Sequence, residues 1–287
     1  MRSRGRKRTL HIAILSTLCT LFGVVFFSLI GILIASDVIA NDAKNPIENM
    51  ECDFCDKLIA ELKAEEEEAA RKAEEERIAN AKGIVYLTFD DGPGPYTARL
   101  LDILKAKDVK ATFFVTGSGD DELIKREYDE GHTVGLHTFT HRYNIIYTSV
   151  DAYFNDLNQV AARVKNITGE DAKLIRFPGG SSNTVSARYD GGSRIMSTLA
   201  TEVQNRDYQY FDWNISSGDA GGATTADAVF VNVAAHLKEG ANVVLQHDIK
   251  SYSVDAVERI IDHALANGYI FMPLRADSPT VHHGINN

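Results

Sequence analysis

From residue 83 onward the chain alternates short apolar runs with longer amphipathic ones. Runs at 84–89, 111–115, 133–136, 174–177, 208–213, 243–246 and 269–272 are rich in β-branched and aromatic residues and bounded by turn formers, so they predict seven strands. Between them, 96–107, 150–167, 225–237 and 254–267 repeat apolar positions at helical spacing. Strands alternating with helices predict a parallel α/β architecture of the barrel-like (β/α) kind.

The pattern before residue 83 is different. Residues 12–36 form a run without a single charge. At ~1.5 Å per residue it is long enough to cross a ~30 Å hydrocarbon core, and it reads as a membrane span. Arg2, Arg4, Arg6, Lys7 and Arg8 precede it and make residues 1–11 a basic tail, which the positive-inside rule keeps cytoplasmic. The rest of the chain is then extracytoplasmic, on a single-pass anchor in the cell membrane. Val38-Ile39-Ala40 resembles a small-residue cleavage site and offers the alternative of a signal peptide, but signal apolar regions are shorter. Residues 37–82 continue into a tract of strong helix formers with Glu and Lys/Arg in blocks, the signature of a helical stalk. Leu58, Leu62, Ala69 and Ala73 share one face that would support a weak coiled-coil homodimer, but Glu65 interrupts that face and leaves a solvated single helix as the equal alternative. Cys52 and Cys55 have CxxC spacing without a second pair, so an intermolecular disulfide between stalks competes with no role at all.

Charge narrows the partners. The formal net charge of −10 includes the five cations of the basic tail, so the remainder carries about −15. Such a body repels phosphate backbones and excludes nucleic acid as a natural partner, and it suits a neutral or cationic glycan better. The predicted α/β body, 83–287, contains no cysteine and needs no disulfide framework.

Polar residues unusual for their context fall where the predicted strands end: Asp90 and Asp91, His137 and His141, Arg176, Asp212, and His247. Catalytic groups of α/β barrels sit at that rim. Adjacent carboxylates such as Asp90-Asp91 repel each other unless a cation neutralises them, which is a reason to expect a metal. The i, i+4 pair His137 and His141, taken as one helical turn, points both imidazoles the same way at chelating spacing. Two His and one Asp leave an open position for water, as catalytic metal sites do.

The motifs TFDDGP at 88–93, HTFTH at 137–141, RFPGG at 176–180, DW at 212–213 and LQH at 245–247 resemble, in order and spacing, those of the polysaccharide deacetylases, carbohydrate esterase family 4 with its NodB-homology domain. The resemblance covers about residues 83–275. It implies a distorted (β/α)7 barrel with Asp90 as general base and Asp91, His137 and His141 as ligands of a divalent metal, Zn²⁺ first, with Co²⁺ or Ni²⁺ alike in ligand preference. It further implies that Arg176 orients the base, that His247 is the general acid, that Asp212 tunes His247, and that Trp213 and Leu245 wall the acetyl pocket. After Pro178 many members carry a bulky residue where this chain has Gly179; the Gly179 amide remains available as oxyanion donor, but the groove is expected to be reshaped. His132, His236, His263, His282 and His283 match no motif and read as surface or packing residues. The implied activity is metal-dependent removal of acetyl groups from an N-acetylated polysaccharide, peptidoglycan first. Chitin-like oligomers or an exopolysaccharide are the alternative, and a catalytically silent glycan-binding protein is the reading from another class.

Overall fold

The computed structural model describes residues 47–287. The expected basic tail and membrane span, 1–36, lie outside the described residues, as does the first part of the expected stalk. Among the described residues, no helix is long and apolar enough to cross a membrane. The chain divides into one unit ending at Arg71 and another running from Lys72 to Asn287. Helix α1, Ile47–Asn80, occupies most of the expected stalk. Its Leu58, Ile59 and Leu62 are exposed, and Cys55 is a free, exposed thiol.

The body is a parallel α/β sheet in which β1 (Gly83–Asp90) is flanked by β2 (Thr112–Val115) and β7 (Gly240–His247). The remaining strands are β3 (Thr133–Leu136), β4 (Leu174–Ile175), β5 (Gln209–Tyr210), β6 (Ile215–Ser216) and β8 (Tyr269–Phe271). The order is β5-β4-β3-β2-β1-β7-β6, with β8 beside the first half of β1, and every pairing is parallel. Each of the seven expected strands is present. The eighth, β6, is two residues long, too short to show a period in sequence.

Strand periodicity sorts the side chains into two layers. Val85, Leu87 and Phe89 point outward into the larger core, where α2 (Thr97–Ala106), α5 (Val150–Thr168), α6 (Ile195–Asn205) and α8 (Ser251–Ala266) bury their apolar faces. Tyr86 points the other way and meets Phe114, Leu174, Phe211, Val243 and Leu274. Side chains from or next to β4, β5 and β7 share this small cluster although those strands are far apart in the sheet order, so the sheet is curled around it. Helices α3 (Asp121–Asp129), α4 (Tyr143–Ile146) and α7 (Ala226–Ala234) complete the body.

Candidate active site

The inward parity of each strand carries on past the inner cluster to the strand's C-terminal end. On β1, Tyr86 is followed inward by Thr88 and then Asp90; on β7, Val243 is followed by Leu245 and His247. Asp90 and His247 are register partners in adjacent strands. His137 and Arg176 stand two residues beyond the inward positions of Gly135 in β3 and Leu174 in β4. Four strands therefore deliver four polar groups to one end of the curl. Three of them, Asp90, His137 and His247, border a cavity of about 370 Å³ that Asp91, His141 and Leu245 also line.

Asp91 turns into the same space through a left-handed backbone, φ 73°. The next residue must be glycine, because a Cβ at Gly92 would sit within 2.3–2.7 Å of the Asp248 carboxylate. The HTFTH segment differs from the expected helical turn. It is a loop, with Thr138 and His141 both in the left-handed region at φ 64° and 52°. Buried Asp156 of α5 secures it, accepting from the Phe139 and Thr140 amides and from the Thr140 hydroxyl. Two residues in unusual conformations thus achieve the convergence that the i, i+4 spacing suggested.

Asp91 Oδ1 lies 3.7 Å from His137 Nε2 and 3.4 Å from His141 Nε2, and one donor atom from each residue falls within a common 4.8 Å. An ion bound at ~2.0–2.2 Å to each ligand separates neighbouring ligand atoms by about 3–3.6 Å, so the three residues fit a small divalent cation. Asp91 Oδ1 is buried without a hydrogen-bond partner, the state of an atom waiting for such an ion. His137 Nδ1 is 2.8 Å from the Arg176 carbonyl, which fixes that nitrogen as the donor and leaves Nε2 free to coordinate. Burial, with the neighbouring His141, pulls the His137 imidazole down to about 3, so it is neutral as a ligand must be.

Behind Asp90 stands Arg176, fully buried. It donates to Asp90 Oδ1 at 2.8 Å, Thr88 Oγ1 at 2.6 Å, and the carbonyls of Phe211 and Asp212 at 2.9 Å each. Its charge offsets that of Asp90 and its fork fixes the carboxylate plane. Burial still pushes the Asp90 carboxyl above its ordinary range against the pull of Arg176 and His247. Oδ2, the oxygen not held by Arg176, is 3.7 Å from His137 Nε2 on the cavity side.

The partner of His247 corrects one expectation. Asp212 does not touch it. Phe211 takes the inward direction after β5, so Asp212 points the other way and accepts from the Ser181 amide and hydroxyl and from the His283 amide. The carboxylate beside His247 is Asp219, in the loop after β6. Its Oδ1 is 2.9 Å from His247 Nδ1, and its Oδ2 accepts the His247 amide at 2.7 Å. Burial lowers the imidazole, but the Asp219 hydrogen bond and the charges of Asp219, Asp90 and Asp91 outweigh it and raise His247 to about 9. With Nδ1 engaged, Nε2 is the nitrogen facing the cavity, 3.9 Å from Asp91 Oδ2.

Trp213, Leu245 and Gly179 line the cavity, while Pro178 is buried behind Gly179 and its carbonyl accepts from the Tyr147 hydroxyl at 2.7 Å. Tyr143, Ala220, Ile249 and Lys250 are lining residues that no motif indicated. Nor is His283 an idle surface residue. Its Nε2 is 2.6 Å from the Trp213 carbonyl and its Nδ1 3.1 Å from Ser182 Oγ. Nearby, buried Asn287 holds Ser186 and Asp190, so residues 281–287 strap the 178–190 loop and Trp213 together.

Comparison with known proteins agrees with this geometry. Residues 77–190 match the polysaccharide deacetylase family. A peptidoglycan-N-acetylglucosamine deacetylase of Bacillus cereus is 36% identical over 203 residues, covering 68% of this chain and 70% of that protein. Chitin deacetylase 1 of Cryptococcus neoformans is 31% identical over 198 residues, 65% of this chain and 42% of that one. The crystal structure of the catalytic domain of peptidoglycan N-acetylglucosamine deacetylase from Eubacterium rectale superposes with a TM-score of 0.69 at 51% identity, covering 72% of this chain and 94% of that one. The matched length, the identity and the shared fold together make this chain an enzyme of the polysaccharide deacetylase family.

Proposed function

We propose that the chain hydrolyses the acetamide of N-acetylglucosamine units in peptidoglycan, using a divalent ion, Zn²⁺ first, held by Asp91, His137 and His141. The observation that carries the reading is the placement of two unlike proton carriers at the cavity that the triad lines: Asp90, held by Arg176, and His247, held by Asp219. When bound, such an ion polarises the acetamide carbonyl and acidifies a water. Asp90 Oδ2 takes a proton from the attacking water as its oxygen bonds to the carbonyl carbon. The C–N bond then breaks while His247 Nε2–H delivers its proton to the sugar nitrogen, giving acetate and a free amine. Leu245 and Trp213 exclude water around the acetyl methyl, and the Gly179 amide faces the carbonyl oxygen.

Peptidoglycan is favoured over chitin by the 51% identity to the Eubacterium catalytic domain, against 31% to the Cryptococcus chitin deacetylase. The uncharged run 12–36 adds a membrane anchor that holds the body against the cell wall. The test is acetate release by the full chain from peptidoglycan and from N-acetylglucosamine oligomers, with and without chelator. Release from peptidoglycan that chelator stops and added Zn²⁺ restores is the expected result. Preference for the oligomers moves the substrate to a chitin-like glycan, and release indifferent to chelator overturns the metal.

A further inference from the structure

The peptide between Pro178 and Gly179 is held from one side only. Fully buried Tyr147 donates its hydroxyl to the Pro178 carbonyl at 2.7 Å. In a trans peptide the carbonyl and the next N–H point in opposite directions, so tying the carbonyl to the core aims the Gly179 N–H away from it, on the side where Gly179 lines the cavity. That N–H donates to no described residue.

One helical turn before Tyr147 stands Tyr143, at the start of α4. The two rings are 5.6 Å apart, and the Tyr143 ring meets the His141 imidazole edge-on at 5.7 Å. The Tyr143 hydroxyl lies 2.7 Å from the point a Cβ on Gly179 would occupy. Any larger residue at 179 would displace it, and Gly179 at φ +78° both tolerates the backbone and leaves the room. The wall lost at Gly179 is therefore refilled from a different loop, by a group that carries a donor. That hydroxyl also makes no hydrogen bond to a described residue.

Two unused donors thus stand side by side on the cavity wall, next to a metal ligand. We propose that the Tyr143 hydroxyl is a catalytic hydrogen-bond donor, paired with the Gly179 amide, to the acetamide oxygen as that oxygen gains negative charge under attack by water. The inference rests on the deacetylase reading and deepens it. The donor is fixed before the reaction, so its hydrogen bond strengthens as charge develops and belongs more to the transition state than to the bound substrate. Tyr147 is a positioning residue in the same arrangement, acting through the Pro178 carbonyl.

The test compares the full chain with Tyr143→Phe and Tyr143→Ala, reading acetate release, bound metal, and affinity for a methylphosphonamidate analogue of the acetylated sugar, whose tetrahedral P–O⁻ imitates the charged oxygen. Tyr143→Phe keeps the ring against His141 and is expected to retain stoichiometric metal. Its kcat should fall roughly 10–100-fold with KM within about twofold, and analogue affinity should fall by the same factor as kcat/KM. Tyr143→Ala should add a rise in KM, because it also removes the wall. A Tyr143→Phe enzyme with the parental kcat and analogue affinity, or with its whole loss in KM, overturns the donor role and leaves only a wall. If the parental chain itself releases no acetate, the deacetylase reading fails first, and the donor role falls with it.

Discussion

Asp90→Asn is expected to remove on the order of 10³-fold or more of kcat while the chain still binds one divalent ion. The amide is nearly isosteric and keeps an acceptor for Arg176, but it has no basic oxygen to take the proton of water. Asp90 is not one of the three residues whose donor atoms fall within 4.8 Å of one another, so the ion should stay. His137→Ala is the contrast, since it removes a ligand and should lose metal and activity together. Metal analysis beside acetate release separates the two, and loss of the ion from the Asn variant would reassign Asp90 to the ligand set.

The second large effect is at Asp219. In Asp219→Asn the neutral amide no longer raises the imidazole of His247, and kcat should fall by roughly 10²-fold or more. The acid must carry its proton, so with His247 raised to about 9 the rate holds below that pH and declines as pH rises through it. A bound cation opposes the pull of Asp90 and Asp91 and brings that decline below 9 in the metal-loaded enzyme. Removing the Asp219 charge shifts the alkaline limb further toward or below the ordinary ~6.5 of histidine. Stability follows the same sign. His247 is raised above its unfolded value, so the pair stabilises fully below ~6.5 and loses that contribution as pH rises through about 9. A pH profile unchanged in Asp219→Asn would sink the role given to this carboxylate. The same substitution at Asp212 should leave the limb in place, because that carboxylate faces Ser181 and His283 instead.

Asp212 and Asp219 also show where reading the sequence stops. Strands and motif spacings are local, and alternation of side chains carried Asp90, His137, Arg176 and His247 to one rim as their strand-end positions suggested. DW at 212–213 satisfied the same pattern. Its aspartate lies on the wrong parity, a fact that depends on Phe211 filling the inner cluster and not on the letters of the motif. The strand that brings Asp219 to His247 has two residues and no period to detect. In HTFTH the spacing was informative but the helix was not, because Asp156, fifteen residues beyond the loop's end at His141, stabilises a conformation with two left-handed residues. The hydroxyl of Tyr143 beside Gly179 was out of reach for another reason. A glycine announces a missing side chain, and only packing tells what fills the space.

The strap of residues 281–287 bears on where the working unit of this enzyme may be cut. The recognisable motifs end near residue 275, and a boundary drawn there looks clean in an alignment. It would strip the acceptor for the Asp212 amide at Val281, the His283 links to Trp213 and Ser182, and the Asn287 contacts with Ser186, Asp190 and Ser197. What would be lost is the support behind the cavity wall that Gly179 and Trp213 form, so a body cut at that boundary would keep its metal triad and still handle its polymer poorly. Asn287 itself is buried and its carbonyl accepts from the Ser197 amide, so the strap is anchored at its far end as well as at His283.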